Sequence, residues 1–274
     1  MGAACFTFLD GTAGVRYGSA IVLSFTAGFL NTVCSNFMNS SFSLPALTIA
    51  FNLVILPFMG GINTGNIGVV GIKDSSMSES IDTSMSFWFM VDSILRGVGQ
   101  FILADTTTGG LFVVLGIAVA SRPSAFSVIF GSLIACITAL YIIEIPDELV
   151  SDVRKGLYGF NTAGVFVAIS GNVFYICNWH SVFNGIVASF FSVFVLVSFK
   201  AFLGISEWNL PVMTLPFCVT TWLMMYLRAP GLIPLDQNNA PARHTVQAEP
   251  QSSYLDNSMH SFSMDSSIHS SSSR

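Results

Sequence analysis

Charged residues are scarce. Asp, Glu, Lys and Arg make up 9% of the 274 residues, where an ordinary soluble domain carries about 25%. The basic residues are few and scattered, which excludes the footprint that nucleic acid requires. Histidine is almost missing from the body of the chain. His244, His260 and His269 lie near the carboxy terminus, and only His180 stands among apolar segments; a lone histidine there reads as an interface residue rather than a ligand. The five cysteines (Cys5, Cys34, Cys136, Cys177 and Cys218) are far apart, with no CxxC or Cys/His metal spacing, and read as buried small apolar residues. There is no Ser-His-Asp set with usable members and no glycine-rich phosphate cradle before a helix. No cofactor and no enzyme chemistry are therefore expected. The amino terminus also lacks the basic-then-apolar order of a cleavable signal.

What is present is apolar. Hydrophobic residues make up 52% of the chain and the mean hydropathy is +0.69, which implies an integral membrane protein. Ser19 to Phe37 carries no charge and is long enough for a span of about 20 residues, whereas Asp10 to Tyr17 reads as a loop. Asn39-Ser40-Ser41 is formally a glycosylation sequon, too near the membrane to be used. Gly60 to Ser86 turns rich in Gly, Asn and Ser and reads as a linker. After it come apolar stretches at 87–103, 109–120, 125–143, 156–176, 182–199 and 210–226, with Glu144 to Lys155 as a polar, solvated loop. The expected organisation is a partial transmembrane repeat at 1–60, a linker at 61–86, a second repeat at 87–228, and a tail at 229–274. From Gln251 onward the tail is serine-rich, a composition that builds no core.

One stretch organises the rest: Leu210-Pro211-Val212-Met213-Thr214-Leu215-Pro216-Phe217, inside a run without charge from Asn209 to Tyr226. Two prolines there break a continuous helix. In lipid, the freed backbone groups must be covered by protein or by a water-filled cavity. The pattern occurs earlier as Leu44-Pro45-Ala46-Leu47-Thr48-Ile49-Ala50-Phe51, with identical residues at four of the eight positions. At the same offset Phe8 matches Phe174 and Phe25 matches Phe191, which indicates an internal repeat. Repeats with interrupted apolar segments at matching positions are a feature of transporter binding sites. The plainer reading is two apolar helices that each start with Leu-Pro.

Two further stretches carry polar groups into apolar sequence. In Arg96-Gly97-Val98-Gly99-Gln100 the glycines allow close approach of a ligand or another helix. The carboxamide of Gln100 offers both donors and an acceptor; it serves either a solute or a neighbouring helix. In Gly156-Leu157-Tyr158-Gly159-Phe160-Asn161, a bend at a helix start is expected, with Asn161 as its cap. Phe160 reads either as a ring facing a passage or as an interfacial aromatic. Asp92 and Arg96 are spaced to pair on a helix, and Asp105 could cap or ligate.

Together the two Leu-Pro-x-x-Thr octets, Leu95 to Gln100 and Gly156 to Asn161 resemble the urea transporter family. The likeness covers about 87–227 as its second half and 1–60 as the end of its first. It implies an all-α integral membrane fold: an inverted repeat of transmembrane helices with broken or half-membrane segments, the first repeat incomplete. It implies passive, channel-type passage of urea, and of small neutral analogues, through an uncharged pore lined with oxygens. By the same likeness Gln100 matches a filter residue, Thr48 and Thr214 the pore threonines, Phe160 an aromatic against the flat solute, and Phe101 and Leu103 apolar walls. The implied setting is a homotrimer in a lipid bilayer, the plasma membrane, with the tail cytosolic and no nucleic acid partner. Three departures stand out. Thr106-Thr107 replaces an expected Asn-Pro. Gly164 replaces a leucine, which implies a wider constriction. The first half lacks its own filter glutamine and aromatic-Asn motif. The alternative is a non-conducting, truncated subunit that assembles with or modulates full-length relatives.

Overall fold

The computed structural model describes residues 9–10, 12–63, 71–72, 86–205 and 210–235. Residues 1–234 form one compact unit, and of the remainder only Leu235 is described. The serine-rich tail, most of the Gly60–Ser86 linker, Cys5, Phe8 and the three late histidines lie outside the described residues.

Among the described residues the structure is helical apart from a two-residue antiparallel pairing of Leu9–Asp10 with Gly71–Ile72 and an isolated bridge between Tyr175 and Pro234. Nine α-helices follow in order: α1 Ala13–Phe42, α2 Ile49–Asn63, α3 Phe87–Gly99, α4 Thr107–Ala120, α5 Arg122–Ile137, α6 Asp147–Arg154, α7 Gly159–Ser170, α8 Trp179–Ile205 and α9 Leu215–Leu227. A π-turn at Thr138–Ile142 prolongs α5 to 21 residues. Helices α1, α5 and α8 are long and apolar enough to cross a membrane. The pair α3 and α4 is bent by 70° at its break, through a 3-10 turn at Gln100–Ile102. Helices α2, α7 and α9 are short. Twelve residues of α7 rise about 18 Å, well below the ~30 Å of a hydrocarbon core.

The helix starts follow local chemistry. Ser86 Oγ accepts from Phe89 N at 3.2 Å and Thr106 Oγ1 from Gly109 N at 3.1 Å, each satisfying an orphan donor of the first turn. Pro123 sits in the first turn of α5, where its missing N–H costs nothing. Asn178 and Ser181 cap α8 reciprocally: Asn178 Oδ1 accepts from Ser181 N at 2.8 Å, and Ser181 Oγ accepts from Asn178 N at 2.9 Å.

Several expectations from the sequence change. The chain is already helical from Ala13, so the loop expected over 10–17 is shorter, because an apolar body propagates helix outward once nucleated. The sequon Asn39-Ser40-Ser41 lies inside α1. The polar stretch 144–155 contains α6, opened by Pro146 and closed with Arg154 in its last turn, where a cation suits the helix dipole. Asp152 there is not simply solvated: its Oδ2 accepts from Lys200 Nζ at 2.8 Å, and that ammonium lies 4.5 Å from the Tyr158 ring centroid. The stretch 156–176 is no continuous span, since α7 ends at Ser170. Cys136 and Cys218 are buried as expected, but Cys177 is exposed.

Helix α5 packs on α7, α7 on α8, and α3 against α4, α5 and α7. The main core cluster joins Phe89, Ala135, Cys136, Ala139, Val153, Tyr158, Val193 and Leu196. Small residues let backbones touch, as in membrane packing generally. A Cβ on Gly97 would lie 2.4 Å from Ser132 Oγ and 3.1 Å from Gly159 Cα; one on Gly159 would meet the same hydroxyl. At the bend, a Cβ on Gly110 would lie 1.8 Å from the Leu95 carbonyl oxygen. Helix α1 is different: it packs on α2, buries only Ala20 and Leu23, and turns Phe25, Phe29 and Phe37 outward.

Gly110→Ala should therefore open the α3–α4 bend at a cost of about 3 kcal/mol or more, because a backbone oxygen cannot step aside. Gly116, in the same helix, has nothing within 4 Å of its Cβ position. Gly116→Ala should be neutral or slightly stabilising. Thermal unfolding of both variants in detergent, followed by size exclusion, checks the contrast; equal stabilities would contradict it.

Candidate functional site

The two octets are broken in the same way. Leu47 and Met213 both take a left-handed backbone with φ 52°, which a bulky side chain adopts only at a cost of roughly 1–2 kcal/mol. Past them the helices restart with matching bonds: Ile49 N to Ala46 O and Asn52 N to Thr48 O in one, Leu215 N to Val212 O and Cys218 N to Thr214 O in the other. The octets then meet. Thr48 Oγ1 donates to Thr214 Oγ1 at 2.8 Å across 166 positions of sequence, so the matching threonines of the two octets touch each other. The next equivalent pair, Asn52 and Cys218, crosses over. Asn52 Nδ2 lies 2.8 Å from Thr214 Oγ1, and Cys218 Sγ lies 3.2 Å from Thr48 Oγ1.

Carboxamides hold this broken backbone. Asn52, 1% exposed, donates from Nδ2 to the Thr48 carbonyl at 3.0 Å and accepts at Oδ1 from Thr214 N at 3.3 Å. Asn161, also 1% exposed, does not cap its own helix, as its sequence position suggested, because it is already the third residue of α7. It caps α9 instead: Oδ1 accepts from Phe217 N at 3.2 Å, and Nδ2 donates to the Met213 carbonyl at 2.9 Å. Trp222 Nε1 donates to the Pro45 carbonyl at 2.7 Å, so a side chain of the second octet's helix satisfies the first octet's break. These are the groups that need covering where water is absent.

Gln100 stands at the α3–α4 break. Its Nε2 donates to the Lys155 carbonyl at 2.9 Å, and among the described residues no donor reaches its Oε1. The carbonyl fixes the amide orientation and leaves that oxygen as an acceptor. Lys155 is held in turn. Asp92 accepts from Arg96 Nε and from Arg154 Nε, each at 2.9 Å, and from the Thr107 hydroxyl. Arg96 also lies 3.5 Å from Asp105. The expected Asp92–Arg96 pair thus forms part of a clamp joining α3, α4 and α6. Thr106 and Thr107, where Asn-Pro was expected, provide the α4 cap and one arm of this clamp. Gly156 follows with φ +79°, and a Cβ there would sit 2.3 Å from Gly97 N; only glycine fits.

The six residues singled out from the sequence are partly brought together. Thr48 and Thr214 are bonded. Leu103 and Phe51 pack against one apolar cluster with Ile55, Met59, Leu210 and Met213, which joins the α3–α4 break to both octets. Phe160 is half-buried beside Asn161, and Phe101 is exposed. Gly164 leaves no extra room at its position: a Cβ there would lie 3.0 Å from Phe217 Cδ2, so the ring of the second octet fills the space of the missing leucine. Asn52 and Trp222 escaped sequence reasoning. The signal for Asn52 was present, since it lies one helical turn after Thr48. Among the described residues no three His, Cys, Asp or Glu side chains converge.

The family model described as urea transporter matches residues 1–261. Among curated proteins, "Urea transporter 1" from Ovis aries is 30% identical over 146 residues, covering 52% of this chain and 35% of that protein. "Urea transporter 1" from Mus musculus is 26% identical over 209 residues, covering 75% of this chain and 52% of that protein. The chain thus spans about half the length, or less, of the curated relatives it matches.

Asn161→Leu should strand the Met213 carbonyl and the Phe217 amide and lower stability by about 2–4 kcal/mol. Asn161→Asp keeps an acceptor for Phe217 but turns an oxygen toward a carbonyl, and should fall between. Thermal unfolding in detergent ranks the three proteins; a leucine variant as stable as the parent would remove Asn161 from this role.

Proposed function

The chain belongs to the urea transporter family, and on that premise we propose that it carries urea passively through an uncharged, oxygen-lined slot. Family membership together with the long apolar helices makes it an integral, multi-pass membrane protein. The observation that carries the proposal is the Thr48–Thr214 bond, which places the polar groups of both octets at one point. The proposed lining is Gln100, Thr48 and Thr214 along a polar edge, with Phe160, Phe101 and Leu103 as apolar walls. In this reading the second repeat is residues 87–228 and the partial first repeat residues 1–60.

The physics favours such a solute. Urea is planar and neutral, with four N–H hydrogens and one carbonyl. Apolar walls fix its plane, and Gln100 Oε1 presents an acceptor that replaces water. Each exchanged hydrogen bond is nearly neutral, with a net of about 1 kcal/mol, so passage is permitted without trapping. An ion gains nothing there to offset its desolvation, so lining and diameter suffice for selectivity. No covalent step is involved, and small neutral analogues belong to the same class. The proposal includes assembly as a homotrimer in the plasma membrane. The rival reading is a non-conducting subunit that assembles with longer family members.

Stopped-flow urea efflux from proteoliposomes holding this chain alone tests the proposal. Flux should exceed that of empty liposomes, saturate, and fall about fivefold in Gln100→Leu, the worth of one hydrogen bond. Flux no greater than empty liposomes, from protein shown to be folded, would reject transport by this chain and favour the subunit reading.

A further inference from the structure

We propose that the outer flank of α1 is a docking surface for α1 of a second copy of this chain, joined through Asn31. The proposal goes beyond the transport reading and does not depend on it.

Asn31 carries the argument. It is exposed on α1, and among the described residues nothing bonds to its side chain. The helix has 30 residues, which rise about 45 Å, while a hydrocarbon core of ~30 Å takes about 20 of them. Every such stretch within Ala13–Phe42 includes residues 23–32, so Asn31 lies in hydrocarbon wherever the helix settles. Outward hydroxyls nearby are satisfied by their own helix: Thr26 Oγ1 donates to the Val22 carbonyl at 2.9 Å and Thr32 Oγ1 to the Gly28 carbonyl at 3.4 Å. A carboxamide cannot be served that way. One N–H can turn back to a carbonyl, as Asn184 does to His180 O at 2.8 Å. The amide oxygen needs a donor, and inside a helix every backbone N–H is already committed. Lipid supplies none, so an unpartnered amide is strongly disfavoured there.

The repeat shows how unusual this flank is. Helix α1 starts at Ala13 and α8 at Trp179, the same offset of 166 that relates the octets, so their positions match one to one. Ser24, Gly28 and Asn31 are spaced to share one flank of α1, and all three are exposed. The matching residues of α8 are Phe190, Phe194 and Val197. Phe194 is turned outward and Val197 packs on the main core. Large apolar groups on one helix are thus small or polar on its mate. Gly28 has nothing within 4 Å of its Cβ position, so no contact within the described chain calls for a glycine there. Small residues beside an interhelical hydrogen bond are how membrane helices come close.

The occupant follows from the carboxamide. Asn31 needs a donor and an acceptor at one place, and another carboxamide supplies both. Two copies of the chain insert with the same orientation, so their α1 helices run parallel and the two Asn31 side chains reach the same depth. Across a two-fold axis each amide donates to the oxygen of the other. The one charge of α1, Arg16, lies in its first turn, outside residues 23–32, so no like charges oppose each other in the core. This two-fold contact is distinct from the three-fold assembly of the transport reading.

Energy transfer between labelled full-length chains in liposomes, over a series of protein-to-lipid ratios, measures the pairing. The parent should pair. Asn31→Val should weaken pairing about three- to thirtyfold, Asn31→Gln should retain most of it, and Gly28→Ile should weaken it with Asn31 intact. These positions are exposed, so all three variants should unfold in detergent at the temperature of the parent. Oxidative cross-linking gives a second readout. Gly28→Cys should yield a covalent dimer above the background of the native cysteines, and Val22→Cys, exposed on the opposite flank, should not. A parent that stays monomeric at every ratio has only lipid on this flank, which overturns the proposal. Unchanged pairing in Asn31→Val overturns it too, as does a dimer from Val22→Cys in place of Gly28→Cys. In native membranes, capture by Gly28→Cys of a different protein alone rejects the second copy as occupant. No readout uses urea flux, so failure of the transport reading leaves the test intact.

Discussion

Everything in this molecule turns on the exclusion of water from its interior. A backbone that breaks inside an apolar body leaves N–H and C=O groups that only protein can satisfy. Three neutral carboxamides and one indole do so: Asn52 across the octets, Asn161 over the start of α9, Gln100 at the α3–α4 break and Trp222 on the Pro45 carbonyl. None carries charge, so none brings the desolvation cost of a buried ion. The charged cluster around Asp92 secures α6, and through it the Lys155 carbonyl, while the groups that meet the two octets stay uncharged.

The two octets correspond at three levels. Backbone torsions repeat, with φ 52° at both Leu47 and Met213. Helix restarts repeat bond for bond. Finally, the two copies of one residue bond to each other, Thr48 to Thr214. Chemistry departs from this symmetry at the next turn, where one copy carries Asn52 and the other Cys218. The backbone shape of the junction is therefore shared by the two octets, while the side chains one turn on differ.

Much of this was legible beforehand. The octets were readable because proline and an unchanging threonine survive as letters even where the rest of the repeat has drifted. The Asp92–Arg96 pair followed from helical spacing alone. What stayed hidden involved partners distant in sequence. Nothing near Asn161 signals that it caps a helix 56 positions away. Gly164 read as a gap because its filler, Phe217, comes from another element. Helix α6 was taken for a loop because its sequence is polar; ion pairs to α3 and α8 hold it, together with Leu149, Val150 and Val153 on the main core.

The Gly97–Ser132–Gly159 contact has a mechanical meaning. Three helices meet there with no side chain thick enough to act as a bearing. Sliding α3 by one turn would bring Ser93 to the place of Gly97, and the added atoms have nowhere to go. The joint is keyed: α3, α5 and α7 translate together or not at all. Gly156, seated against the Gly97 backbone, locks the same joint from the side. This half of the protein is built as a stator, a fixed frame of three interlocked helices.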